Sequence, residues 1–139
     1  MAEIQGHLTL VGDDFDTALV SKMLGRLPTY VREKTEVLGN GQLFGHCEWG
    51  VETALMEAED FQPVSDSLRE MLDCPAELLK KAAHDCNAEW SILYYVEVYD
   101  DFPVIYFSQN FIQFSAEIGA HIGADVYLRN ESDLEERNM

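Results

Sequence analysis

Basic residues are scarce in this sequence. Against 26 Asp and Glu, the 139 residues contain only 9 Lys and Arg, which gives a formal net charge of −17. Residues 35–68 and residues 82–128 contain neither Lys nor Arg. Such a surface repels nucleic-acid phosphates, so a DNA or RNA partner is disfavoured. A basic protein would instead be attracted, with an association rate that falls as salt is added. The alternative is that the acidity serves solubility alone.

Long apolar runs and targeting signals are also lacking. No stretch approaches the roughly eighteen consecutive apolar residues that a membrane-spanning helix requires. The first residues, Met1 to Gln5, contain neither a basic region nor an apolar run, so we expect no signal peptide and a cytoplasmic location. The odd number of cysteines (Cys47, Cys74 and Cys86) fits reduced thiols in that compartment. Hydrophobic residues make up 47% of the chain, which favours a folded core.

One acidic cluster resembles a calcium-binding loop only superficially. It consists of Asp13, Asp14 and Asp16. Counted from Asp14, the sixth position is Leu19 instead of Gly and the twelfth is Gly25 instead of Glu. We therefore expect one of these carboxylates to cap the helix that follows, where free backbone N–H groups favour an oxygen acceptor.

The other motifs that carry chemistry are also absent from the sequence. Gly39, Gly41 and Gly45 are wrongly spaced for a phosphate loop, and Asn-Gly between two predicted strands indicates a hairpin. His46 and Cys47 are adjacent on a predicted strand and point to opposite faces. There is no C-x-x-C, H-E-x-x-H or G-x-S-x-G motif. The sequence thus predicts a non-enzymatic protein with no metal site, no cofactor and no catalytic residues, with a Cys–His pair between distant segments left open.

Apolar periodicity and turn residues predict the element order β-α-β-β-α-α-β-β-α-β. We expect one α+β domain over residues 1–129, in which a single layer of mostly antiparallel sheet packs against helices, and a polar tail over residues 130–139. The last helix is expected to be capped by Ser108, and Pro63 and Pro75 each to open a helix. The predicted strands are residues 3–11, 30–38, 42–56, 90–99, 104–107 and 126–128.

The predicted strand over residues 42–56 places polar and apolar side chains on opposite faces. Trp49 and Val51 lie on one face, and Glu48 and Glu52 lie on the other, which we expect to be wet. Aromatic residues are concentrated further along the chain, from Trp90 onwards. Most of them are expected in the core, and an exposed subset beside acidic residues would form a protein-binding patch.

Several segments together resemble a bacterial family known only as a domain of unknown function. They are Leu8-Thr9-Leu10-Val11-Gly12-Asp13-Asp14-Phe15-Asp16, Leu24-Gly25 with Pro28, Trp49, and Ala124-Asp125-Val126-Tyr127-Leu128. They span most of the chain in order, and their shared positions indicate a cap, a tight turn, a core tryptophan and a strand end. The resemblance supplies no catalytic residues.

The resemblance implies an immunity protein, since some members of that family are associated with polymorphic or contact-dependent-inhibition toxins. The expected partner is the C-terminal domain of a co-encoded toxin, basic in charge, with a nuclease as the candidate class. Exposure, charge and distance from cations select Glu48, Glu52, Asp100 and Asp101 as partner-binding residues. The alternatives are a small hydrolase or ligand-binding domain with a pocket between sheet and helices, and a self-assembling structural domain.

Overall fold

The computed structural model describes residues 2–35, 37–42 and 45–130, and it has an α+β fold. One open sheet of six strands packs against four helices in the order β-α-β-β-β-α-α-β-α-β. The elements are β1 (Ala2–Gly12), α1 (Thr17–Leu24), β2 (Tyr30–Arg32), β3 (Cys47–Glu52), β4 (Met56–Glu57), α2 (Gln62–Met71), α3 (Ala76–Cys86), β5 (Ala88–Val98), α4 (Gln109–Glu117) and β6 (His121–Leu128). The tail predicted from residue 130 falls largely on residues 131–139, outside the described residues.

The sheet is mostly antiparallel, as predicted. Its strand order is β2-β3-β1-β5-β6, with the short β4 pairing on β1. Four pairings are antiparallel, and the β5–β6 pairing is parallel because α4 crosses over between those two strands. Strand β1 lies in the middle, where His7 is the register partner of both Glu52 and Leu93. No helix in the described part of the chain is long and apolar enough to cross a membrane.

The helices cover one face of the sheet, because alternate strand residues are apolar and buried. Leu10 stands between Trp49 and Trp90 in the register, and Leu8 stands between Val51 and Ile92. All six side chains are at most 1% exposed. We call this side the helix face and the opposite side the open face. On the helix face, burial of these large apolar side chains contributes most of the favourable free energy of folding.

Two tryptophans form the centre of the helix face. The Trp49 and Trp90 rings meet edge to face, with centroids 6.3 Å apart and an interplanar angle of 83°. The Trp49 indole N–H donates to the Ser21 hydroxyl of α1 at 2.9 Å, and the Trp90 indole N–H donates to the Leu79 carbonyl of α3 at 2.8 Å. Each ring is therefore fully buried without leaving its polar atom unpaired.

The helix ends follow the predicted capping residues. Asp16 is the N-cap of α1 and accepts from the backbone N–H groups of residues 18 and 19, at 3.0 and 3.2 Å. Gly25 ends that helix in the left-handed conformation, at φ 63°. Ser108 caps α4, Pro63 lies in the first turn of α2, and Pro75 is the N-cap of α3. Of the carboxylate cluster, Asp16 thus caps the helix, whereas Asp13 pairs with Lys34 and Asp14 accepts from the Cys47 thiol.

The first predicted hairpin has the right pairing but shorter strands. Strands β2 and β3 are antiparallel, and a tight turn is closed by the Leu38 N–H donating to the Gln42 carbonyl at 2.7 Å. Strand β2 ends at Arg32 because the chain then turns towards α1, where Glu33 accepts from the Thr17 hydroxyl. Residues 36, 43 and 44 of the predicted strands lie outside the described residues.

Three further strand predictions were wrong in extent. The predicted strand 42–56 is divided into β3 and β4 at Thr53, whose side chain accepts from the Gly6 N–H at 3.0 Å. Residues 104–107 form no strand, and Val104 makes only an isolated bridge to Asp60. Strand β6 begins at residue 121 instead of 126, because Gly119 (φ 67°) ends the last helix earlier than its apolar pattern suggests.

Helix α2 packs closely against β1 at Gly6. A methyl group on its Cα would lie 2.6 Å from Val64 Cγ1 and 2.9 Å from Leu68 Cδ1 of α2. Both neighbours are fully buried, so neither can move without disturbing the core. A glycine is therefore required for α2 to pack directly on β1.

We expect Gly6→Ala to lower the free energy of unfolding by about 1–3 kcal/mol, the usual cost of overpacking a core. The measurement is urea denaturation followed by tryptophan fluorescence. Gly39→Ala is the matched control, because no heavy atom lies within 4 Å of the added methyl, and it should change stability by less than about 0.5 kcal/mol. Equal effects of the two substitutions would contradict the close contact with α2.

Candidate functional site

Among the residues that the structure describes, no helix packs against the open face of the sheet, and the side chains of this face are mainly polar. Strands β1, β3 and β5 alternate strictly, so every second residue turns away from the core. Carboxylates are distributed across most of this face. They belong to Glu3, Glu48, Glu52, Glu89, Glu97 and Asp125. Guanidinium groups stand at its two opposite edges, Arg32 on β2 and Arg129 just after β6.

The open face contains a shallow cavity of about 340 Å³ over β1, β2, β3 and β5. His7 lies at its centre, with Nδ1 3.4 Å from a carboxylate oxygen of Glu52. The His7 ring also meets the Tyr30 ring edge to face, with centroids 6.1 Å apart. The Tyr30 hydroxyl is hydrogen-bonded to the Thr9 hydroxyl. Imidazole, phenol and carboxylate groups therefore converge at one place on the sheet.

Burial raises the pKa of Tyr30 to about 12; the hydrogen bond from Thr9 to Tyr30 opposes that rise, and the nearby carboxylates of Glu48 and Glu52 each add a smaller increase. Desolvation is the largest of these causes, because a phenolate is poorly solvated between the strands. At neutral pH the phenol is protonated and can donate a hydrogen bond. The cavity thus combines a neutral donor with anionic acceptors.

Gly50 makes room for the Tyr30 hydroxyl. A methyl group on Gly50 would lie 2.9 Å from that hydroxyl oxygen, and equally close to the Leu8 carbonyl oxygen and the Thr9 hydroxyl oxygen. Real Cβ atoms do not approach other atoms that closely, so any larger residue would displace the tyrosine. The glycine inside β3 accordingly positions a side chain of the site.

A second polar cluster on the open face surrounds Glu97 of β5. This carboxylate is 6% exposed and accepts from the hydroxyls of Tyr95 and Tyr99, at 3.0 and 3.2 Å. The Arg129 Nε lies 3.6 Å from it, and the Arg129 guanidinium carbon lies 5.2 Å from the centroid of the Tyr127 ring. A buried carboxylate needs such partners, because water is excluded from it.

Sequence reasoning missed both clusters. For Glu97 the signal was available, since an acid flanked at two-residue spacing by Tyr95 and Tyr99 places three polar groups on one face of a strand. For His7, Thr9 and Tyr30 no local signal exists, because the pairing of β1 with β3 and of β3 with β2 brings them together.

The four predicted partner-binding residues divide into two pairs. Glu48 and Glu52 lie on the open face and line the cavity around His7. Asp100 and Asp101 follow β5, and Asp101 lines a different recess of about 820 Å³ together with other carboxylates. Glu52 is in register with residue 7 and Val98 with residue 2, so Glu52 and the end of β5 are about 17 Å apart along β1, counting about 3.4 Å per residue, and Asp100 and Asp101 follow that end. The two pairs therefore lie in different recesses of the surface.

No metal-binding cluster of three or more His, Cys, Asp or Glu side chains occurs among the residues that the structure describes. Cys47, Cys74 and Cys86 are free thiols, and the first two are buried. Burial raises the pKa of the Cys74 thiol and of the Cys86 thiol. A smaller fraction of each thiol is therefore present as thiolate, and both are weaker nucleophiles.

A third cavity, of about 240 Å³, lies on the helix face beneath the loop that follows β5. We call it the apolar groove. Its main lining residues are Phe61, Tyr94, Phe102, Ile105, Ile122 and Val126. The Tyr94 hydroxyl, its main polar atom, is already hydrogen-bonded to Ser65 at 2.6 Å. The groove therefore offers contact area for an apolar group but little for polar recognition.

We expect the free energy of unfolding to fall as the pH rises from about 10 to about 12, and Tyr30→Phe to reduce that fall. The folded pKa of Tyr30 is above the unfolded value, so its contribution is fully present below pH 10 and is lost as the pH rises through about 12. Urea denaturation at several pH values measures the difference. Tyr106→Phe, which alters a half-exposed tyrosine, is the control, and identical slopes for both variants would contradict the burial of Tyr30.

Comparison with known proteins identifies the family of the chain but does not assign it a function. The model of the family described as a domain of unknown function (DUF4279) matches residues 2–129. No curated protein and no solved structure matches the chain. The match spans nearly the whole chain, including the open face, the groove and every helix. The chain is therefore a member of the DUF4279 family.

Proposed function

We propose that this protein is a non-catalytic cytoplasmic inhibitor of the immunity type, which binds and neutralises the toxin domain encoded with it. The observation that carries the proposal is the open face, a broad acidic sheet surface with tyrosines among its carboxylates and no element of the described chain packed over it. A surface of this kind is suited to contact a protein.

The tyrosines of the open face provide anchors for such a contact. The Tyr95 and Tyr127 rings are tilted by 37° with centroids 5.0 Å apart, and Tyr30 stands on β2, separated from β5 by β1 and β3. Tyrosine is enriched among the residues that dominate interface energies, because it supplies a large rigid surface and one polar atom. The carboxylates around these rings can pair with Lys and Arg of a partner at the rim.

The charge distribution favours a basic partner. The carboxylates spread over β1, β3, β5 and β6, whereas the guanidinium groups stand at the edges of the sheet. Such a surface concentrates a cationic protein near the contact before docking and raises the association rate. Toxin domains that cleave nucleic acids carry basic surfaces for their substrate. The acidic open face would attract those basic surfaces and cover them.

The alternative of a small hydrolase or ligand-binding domain requires convergent polar groups in a pocket between sheet and helices. The apolar groove occupies that position, and its lining is apolar apart from the hydrogen-bonded Tyr94 hydroxyl. Its volume of about 240 Å³ is also below the roughly 300 Å³ at which small-molecule sites usually begin. The open face therefore supports the binding role better than the groove supports this alternative.

Co-expression with the C-terminal domain of a large exported protein encoded immediately upstream tests the proposal. The domain alone should stop growth, and co-expression of this chain should restore it through a stable complex. Growth arrest that this chain does not relieve, in cells where both proteins are made, would overturn the immunity role.

We expect Glu48→Lys/Glu52→Lys to slow association with that toxin domain at least about tenfold, because attraction becomes repulsion at the contact. Stopped-flow mixing at low salt measures the rate. Glu70→Lys/Glu117→Lys makes the same change in net charge on exposed helix positions, and it should slow association only about two- to threefold. Equal slowing in the two variants would assign the effect to net charge alone.

Asp100→Lys/Asp101→Lys decides whether the contact extends to the second acidic pair. These residues lie in a different recess, so their reversal should behave like the helix control if the open face alone binds. A loss of rescue confined to this variant would move the contact away from the open face.

A further inference from the structure

The last strand of the sheet, β6, has an uncovered outer edge. It is the terminal strand of the sheet, and among the described residues no strand pairs with its outer side. Its register with β5 runs without interruption over eight residue pairs, so it contains no bulge. It contains no Lys and no Pro. Bulges, Lys and Pro are common protections of an edge strand; β6 has none of these three, and its one carboxylate is Asp125.

The hydrogen-bonding groups of β6 that face outward can be identified from one contact. The Arg129 N–H donates to the Val98 carbonyl at 2.7 Å, while Val98 is in register with Leu128. In a parallel pair, this arrangement directs the backbone groups of the odd-numbered β6 residues towards β5. Even-numbered residues therefore direct their N–H and C=O groups outward. They are Ile122, Ala124, Val126 and Leu128.

The same even-numbered residues place apolar side chains on the helix face, where none of the four described helices covers β6. Together with two side chains of the loop between β5 and α4, they form an exposed apolar strip that we call the edge strip. Its members are Phe102, Ile105, Ile122, Val126 and Leu128, which are 43–77% exposed. Aromatic and branched side chains at this exposure offer on the order of 500 Å² of apolar area, near the upper end of what monomers leave open.

From this edge we infer that β6 pairs antiparallel with β6 of a second copy of the chain, so that two sheets join into one across a twofold axis. The pairing does not depend on the proposed toxin contact, which uses a different surface. A twofold axis perpendicular to the sheet keeps the helix faces of both copies on one side. It also requires outward-facing residues to oppose each other, which the even-numbered positions satisfy.

Charge selects the register. With Ala124 on the axis, Ile122 is opposite Val126 of the second copy, and the three outward-facing pairs form six backbone hydrogen bonds. On the open face Gly123 is then opposite Asp125 of the second copy, so no like charges meet. A shift that places Asp125 on the axis would oppose two carboxylates and is disfavoured.

The charge of the whole chain also points to this edge for a contact between copies. Two chains of net charge −17 repel each other, so they can associate only where the surface is nearly neutral. Strand β6 carries one carboxylate and one histidine in eight residues. Standard protein interfaces bury at least about 1,200 Å² in total. The edge strips of two copies, taken together with the paired backbone, approach that area. Added salt should strengthen this dimer, because it screens the repulsion.

Sedimentation equilibrium over a range of protein concentrations tests the dimer. The unaltered chain should dimerise, more tightly at high salt than at low salt. Ala124→Pro removes an outward N–H on the axis without breaking a bond to β5, and it should raise the dimer dissociation constant at least about tenfold. Ala124→Ser retains the N–H group, so it is the matched control and should dimerise like the unaltered chain.

Val126→Lys provides a second variant in case the proline disturbs the fold. Val126 is 47% exposed, so the monomer should tolerate lysine, whereas two lysines beside the axis would block pairing. Urea denaturation verifies that each variant is folded. A monomeric unaltered chain at all concentrations, or a dimer that persists in both variants, would overturn the inference. If the chain is monomeric alone but Val126→Lys abolishes rescue from the toxin domain, the edge belongs to that partner instead.

Discussion

The contact between Trp49 and Trp90 holds the rest of the structure in place. The two rings flank Leu10 on the middle strands of the sheet, and each indole N–H is hydrogen-bonded to a helix, one to α1 and the other to α3. Because both helices are fixed to the same face, the apolar burial of the domain is completed on one side. The other side is left to polar side chains, and the open face is the direct consequence.

The molecule therefore presents two surfaces of opposite chemistry. The open face is acidic and aromatic, and its contacts with a basic protein would weaken as salt increases. The edge strip is nearly neutral and apolar, and contacts there would strengthen as salt screens the net charge. The two surfaces meet at β6, where odd-numbered residues face one side and even-numbered residues face the other. A chain of this size could thus bind a partner and a second copy without competition.

Local signals predicted the elements, and pairing decided their extent. A cap from Asp13, Asp14 or Asp16 was predicted, and Ser108 and Pro75 were recognised as helix starts, because capping depends on residues adjacent in sequence. Strand ends were less accurate. Thr53 interrupts a predicted strand through a bond to Gly6, and residues 104–107 have strand-forming side chains but no neighbouring strand to pair with beyond one bridge. Strand β6 was predicted too short because its first residues carry the apolar pattern of a helix.

The sequence by itself determined the fold class, the acidic character, the caps and the alternation that separates Glu48 and Glu52 from Trp49 and Val51, since each depends on composition or on neighbours within a few residues. Only the tertiary structure decided that His7, Thr9 and Tyr30 share a cavity, that Glu97 is buried and that β6 lies at an edge. Strand order sets all three, and it depends on contacts between residues far apart in the chain. Such contacts form because they bury the two tryptophans and their neighbours together, and no local pattern records them.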